Sequence, residues 1–247
     1  MKNSASNKFW KFSNPVLFKN LAYIISPLAG LIAILAIIPG LVWGVFFTNP
    51  DYKQMETVKI IFIHVPAAFL AINIYFMMTI TSLVWLIRRH YVSALAAKSA
   101  AIIGLTMTIV TIITGSLWGS STWGTYWVWD ARITSTFILL LQYIGLYVLR
   151  TSFNSISTSD TVISIFAIIG AINIPIIKFS VNWWNTLHQG PSITSSGSTI
   201  AGEFLTILIL MMISLLFLSY AIFARNIQSE ILLRTRQSKR LQGEING

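Results

Sequence analysis

"IIFIHVPAAFLAINIYFMMTITSLVWLI", residues 60–87, is an unbroken apolar run without one Asp, Glu, Lys or Arg, and it carries a histidine, His64, near one end. A bilayer core about 30 Å thick is crossed by ~20 apolar residues in a helix, so this run is long enough to span it. Stretches 21–46, 99–117, 133–149, 161–179 and 200–223 read the same way, the fourth and fifth spans being short but almost free of charge. The whole chain is 247 residues, 55% hydrophobic and only 10% charged. A soluble domain of that size would need far more polar surface to cover its core. The sequence therefore predicts an all-α integral membrane protein with six transmembrane helices. It divides into an N-terminal tail (1–20), a six-helix domain (21–223) and a basic C-terminal tail (224–247). The first span follows Lys2, Lys8, Lys11 and Lys19, as a signal peptide would. It is too long for a signal core and lacks a small-residue cleavage site, so it reads as a retained helix.

The net charge of +10 is a statement about topology before it is one about nucleic acid, because Lys and Arg collect on the cytoplasmic side of membrane proteins. Thirteen of the 17 basic residues fall in the N-terminal tail, at Arg88, Arg89 and Lys98, at Arg150, and in the C-terminal tail. The opposite side holds Lys53, Lys59, Arg132 and Lys178. Both termini are thus expected in the cytoplasm. There is no cysteine, which excludes disulfides, iron–sulfur clusters, thiolate zinc sites and covalent haem attachment through C-x-x-C-H. No G-x-x-x-x-G-K-[ST] loop occurs, so the chain is not expected to hydrolyse ATP by itself.

This topology gathers rare residues on the outer face. The connection between spans three and four reads "GSSTWGTYWVWDARIT" (119–134), and the one between spans five and six contains "SVNWWNTLHQG" (180–190). With His64 at the outer end of span two and His188 in the second of these loops, two of the three histidines face outward; His90 lies on the cytoplasmic side. Tryptophan anchors helix ends at the interface, which accounts for Trp43 and Trp85, but six in two adjacent loops exceed that need. Asp130 fits the N-cap of span four, and Arg132 its pairing partner or a headgroup contact; a ligand role for each is open beside these. Zinc would want three or four close ligands, and a proton path would want polar groups beyond Asn73, Gln142 and Asn173 in the spans. Haem suits the set better. Its iron takes two axial imidazoles from opposite sides, its ring wants flat apolar walls, and its propionates want cations, here Lys59, Arg132 or Lys178.

"WGTYWVWDARIT" (123–134) resembles the tryptophan-rich WWD signature, W-G-x-x-W-x-W-D-x-R-L-T, of haem-handling membrane proteins. "IIFIHVPAA" and "NIPIIKFSVNWWNTLHQG" resemble the flanking segments of one branch, the haem exporter protein C (CcmC) family of cytochrome c maturation, over about residues 20 to 225. Tyr126 and Ile133 stand where the signature often has Trp and Leu. The resemblance implies that His64 and His188 are axial ligands of the haem iron. It also implies that Trp118, Trp123, Trp127, Trp129 and Asp130 form a platform, with Arg132 beside it. Haem b would be held at the periplasmic face of a bacterial inner membrane, or in the mitochondrial counterpart. It would then pass to a CcmE-like periplasmic haem chaperone, alongside CcmA-like and CcmB-like ABC transporter subunits and a small CcmD-like membrane subunit. The expected role is delivery, not catalysis. A haem lyase that acts directly on apocytochrome and a haem permease are the rival readings.

Overall fold

The computed structural model describes residues 14–190 and 192–246, with side chains described up to Arg240 and at Gln242; Lys2, Lys8 and Lys11 of the predicted tail lie outside them. Seven α-helices build the six crossings: α1 Pro15–Phe46, α2 Ile61–Arg88, α3 Tyr91–Trp123, α4 Ala131–Leu149, α5 Ile156–Gly170, α6 Asn173–Trp183 and α7 Gly202–Asn246. The fifth crossing is shared by α5 and α6. An even number of crossings leaves both ends of the described chain on one side of the bilayer.

Small residues set the closest pairing. Ala22, Ser26, Ala29, Ala33, Gly40 and Gly44 are the buried positions of α1, three or four apart along most of one face. In lipid, where hydrophobicity does not drive helices together, such a seam lets backbones approach and gain dispersion contacts. It lies against α7, and a methyl group at Gly40 would come within 3.0 Å of Met211 Sδ. Helices α2 and α3 form a long antiparallel hairpin, reversed at Arg89, whose φ of 51° caps α2. The main core lies between α2, α3, α4 and the α5–α6 crossing around Tyr75, Met78, Leu139 and Tyr143. Tyr143 fits only because residue 104 is glycine, and its hydroxyl donates to the Ala71 carbonyl at 2.7 Å.

The predicted fifth span is interrupted at Ala171 and Ile172. Pro175 is the reason: it has no N–H, and its ring collides with the carbonyl four residues back, that of Ala171. Backbone groups freed within a membrane must be satisfied by protein. Gln142 Nε2 accordingly donates to the Gly170 carbonyl at 3.2 Å, while Asn173 Nδ2 ties α6 to α4 by donating to the Ser135 carbonyl at 2.9 Å. Two isolated polar residues in the spans thereby acquire a structural purpose.

The basic segment after residue 223 continues α7 instead of leaving it. Ile227 and Ile231 pack on Leu95 and Ala96. Buried Glu230 pairs with Lys98 at 3.3 Å and with Arg150, and Arg234 forks onto Asp160 with two 2.8 Å bonds. Removing one member of a buried pair strands the other's charge, which costs about 3–5 kcal/mol. Asp160→Ala is therefore expected to lower the thermal denaturation midpoint of the detergent-purified protein, whereas an unchanged midpoint would reduce the pair to a surface decoration.

Candidate functional site

Helix α3 stops at Gly124, which takes the left-handed conformation (φ 74°) at its C-terminus. The chain then runs to Asp130, which starts α4. One carboxylate oxygen, Oδ1, accepts the Ile133 N–H at 2.7 Å as an N-cap, the role its sequence position suggested. The other, Oδ2, faces the loop that follows α6, where the Leu187 N–H and His188 Nδ1 each approach it at 3.3 Å. Asp130 thus joins two segments that lie 58 residues apart. The His188 ring also meets the Trp123 ring edge-on, with centroids 4.8 Å apart. Burial pushes the His188 imidazole below its ordinary pKa, with Asp130 pulling the other way and Arg132 adding to the depression. A neutral ring is the form that ligates a metal.

His64 stands in the first turn of α2. Its Nδ1 lies 3.1 Å from Thr114 Oγ1, and its ring meets Trp118 edge-on at 5.7 Å. The position beside it, Gly115, is bare: a Cβ there would fall 2.9 Å from the imidazole Cε1. Trp118 is itself held by Nε1 donation to Gln54 Oε1, on the strap between α1 and α2.

Both histidines line the same cleft. One half, about 410 Å³, runs down between α2, α3, α4 and α6 past Phe69, Ile72, Leu139 and Ile177. The other, about 540 Å³, lies under the 187–193 segment, with Gln54, Trp118 and Ser192 in its wall. His64, Val65, Gly115, Trp123, Arg132 and His188 border both halves. The combined space is in the range of sites that enclose a small molecule or cofactor, and both histidines border each half. No cluster of three or more His, Asp or Glu side chains that would hold a bare metal ion occurs among the described residues. Two imidazoles flanking a large apolar cleft suit an iron already held in its own ring.

The predicted cations separate. Arg132 borders both halves and donates through Nε to Ser180 Oγ at 3.2 Å, and Lys178 borders the first half. Lys59 borders neither; it pairs with Glu56 at 2.7 Å and donates to the Val45 carbonyl. The tryptophans separate too. Trp118, Trp123 and Trp127 reach the cleft, whereas Trp129 is 70% exposed and stacks edge-on against Trp127 and Phe137. Trp183 and Trp184 are exposed and touch each other. Buried Trp127 Nε1 has no partner among the described residues. Sequence reading missed Gln54, Thr114 and Gly115, because nothing in a Gln, a Thr or a Gly announces that it backs a side chain from another helix.

The sequence profile of the family described as "Heme exporter protein C" matches residues 8–242 of this chain. Heme exporter protein C of Paracoccus denitrificans is 44% identical over 218 residues, covering 83% of this chain and 90% of that protein. A putative cytochrome c biosynthesis ccmC-like mitochondrial protein of Marchantia polymorpha is 46% identical over 194 residues, 78% of this chain and 79% of its own length. Heme exporter protein C of Escherichia coli K12 is 39% identical over 164 residues, 66% of this chain and 67% of the relative.

Proposed function

From the premise that this chain belongs to the haem exporter protein C family, we propose that it holds haem b between His64 and His188 and delivers it to a periplasmic haem chaperone. Its role is haem handling in cytochrome c maturation, as a multi-pass inner-membrane component of the haem exporter complex. The observation that carries the finer reading is the pair of histidines, from α2 and from the loop after α6, that border one cleft.

The substrate would supply iron and a flat apolar ring; this chain supplies the rest. His64 and His188 would offer Nε2 to the two faces of the iron. Trp118, Trp123 and Trp127 would offer edges and faces to the ring, each aromatic contact adding roughly 0.5–1.5 kcal/mol beyond burial. Trp129, set outside the cleft, is better placed to meet a docking partner than the haem. Arg132 and Lys178 would meet the propionates. Both termini would lie in the cytoplasm and the cleft at the periplasmic face, as the distribution of Lys and Arg favours. No step in this scheme makes or breaks a bond within the haem, so the chain acts as a delivery protein. CcmA-like, CcmB-like and CcmD-like subunits would complete the complex.

The test is transfer. Haem-loaded protein in detergent is mixed with a soluble CcmE-like chaperone or with apocytochrome, and haem is followed through separation of the components. Delivery predicts that haem leaves for the chaperone and that apocytochrome alone receives none. Covalent haem on apocytochrome without chaperone would establish the lyase reading in its place.

A further inference from the structure

The two histidines are backed by different chemistry. Thr114 Oγ1 carries one hydrogen, and it is already directed at the Val110 carbonyl, 2.6 Å away on the same helix. Toward His64 Nδ1, at 3.1 Å, the hydroxyl can only accept. The proton of His64 therefore sits on Nδ1, and Nε2 keeps its lone pair. At His188 the acceptor is the Asp130 carboxylate, at 3.3 Å, which likewise places the proton on Nδ1. Both rings are thus set in the tautomer that ligates through Nε2, but not with equal strength. A hydrogen bond to an ionised acceptor is roughly twice as strong as one between neutral groups, which outweighs a difference of 0.2 Å in length. A carboxylate behind a histidine raises the ring's basicity toward a metal; a hydroxyl that is itself donating elsewhere does so far less.

The supports differ in rigidity as well. Asp130 is fixed from both ends, by the cap bond to Ile133 and by the Leu187 N–H. His64 has only neutral partners, the Thr114 hydroxyl and the Thr111 carbonyl, and its ring lies against the bare backbone of Gly115.

We infer that the two ligands are inequivalent: His188 is retained, His64 is the one that lets go, and Thr114 is the positioning residue that sets how readily it does. This rests on the haem-binding reading above. Handover then starts as a ligand exchange, with no change of iron oxidation state. The Nε2 lone pair of His64 leaves the iron, and a donor on the incoming partner takes the vacated face while His188 still holds the other.

Carbon monoxide is the probe. On dithionite-reduced, haem-loaded protein it must wait for one histidine to leave, so its binding rate reports the weaker ligand; the C–O stretch of the adduct reports the histidine that stays. Thr114→Val removes the hydroxyl acceptor behind His64 and leaves the Thr111 carbonyl. It should accelerate carbon monoxide binding by roughly 10-fold, the lower end of what such supporting contacts carry, and leave the C–O stretch where it was. Thr114→Ser should restore the slow rate, and Thr114→Ala carries the same test if valine crowds the ring. An unchanged rate would strike Thr114 as the positioning residue, and a stretch that moves with Thr114→Val would make His64 the retained ligand; either overturns the inference. Absence of a six-coordinate haem spectrum in the wild-type protein before carbon monoxide is added would instead defeat the functional reading on which it rests.

Discussion

Purified from haem-replete cells, the wild-type protein should show a six-coordinate, low-spin haem spectrum that both His64→Gly and His188→Gly lose and that added imidazole restores in each. The reason lies in how little else in the cleft can ligate iron. Its polar wall offers Thr, Ser, Gln, Trp, Tyr, Arg and Lys side chains besides the two histidines, and no cysteine or methionine. Glycine leaves a hole of imidazole size in each case, and the free base can enter it because the backing group remains: Asp130 at one site, Thr114 at the other. If haem stayed bound with an identical spectrum in both variants, the histidines would not be its ligands. The tryptophan-rich segment would then have to be read as a docking surface. A spectrum lost in one variant alone would place the haem elsewhere in the cleft, held by that residue and a different partner.

Six crossings are legible in the sequence because each is a long run without charge, and lipid imposes one solution on such a run. The interruption of the fifth is not, since a single proline often bends a membrane helix without breaking it. The break becomes intelligible only when Gln142 and Asn173 are seen to collect the freed carbonyl and tie α6 back to α4. The course of residues 224–246 was hidden for another reason. A basic segment after an apolar span has the composition of a tail, and only the placement of Asp160, Lys98 and Arg150 shows that two of its charges, Arg234 and Glu230, sit in buried pairs. Glu203 stands in the first turn of α7, where an acid meets the positive end of the helix dipole.

At the candidate site, residue types were legible and their partners were not. Histidine and tryptophan are rare enough to single out, so His64, His188 and the 118–129 cluster stood apart at once. The approach of Trp129 to solvent depends on where α3 ends, which Gly124 decides, and that of Trp118 to His64 on how α3 packs along α2. Lys59 and Lys178 looked equivalent as outward cations; a glutamate three residues away from Lys59 engages the first, and α6 brings the second to the cleft.

Asp130 has two duties, and a single substitution separates them. Asn caps helices about as well as Asp, so Asp130→Asn can keep its oxygen on the Ile133 N–H and leave α4 intact. Its amide nitrogen then faces His188 and Leu187, presenting hydrogens where both already present their own. The ring can answer only by moving its proton to Nε2 and accepting at Nδ1. That tautomer has no lone pair left for iron. Expected, therefore, is a loss of haem affinity at or beyond the 10–100-fold that supporting contacts to a metal ligand carry, with the thermal midpoint of the haem-free protein near that of wild type. Asp130→Ala should lose haem as well, and in addition lose about 1 kcal/mol of stability with the cap. The contrast between the two variants is what identifies the cause. A lower midpoint in both would mean that the amide turned over and gave up the cap to preserve the His188 contact. Wild-type haem binding in Asp130→Asn would leave Asp130 as a helix cap alone and remove the carboxylate from the account of how His188 is held.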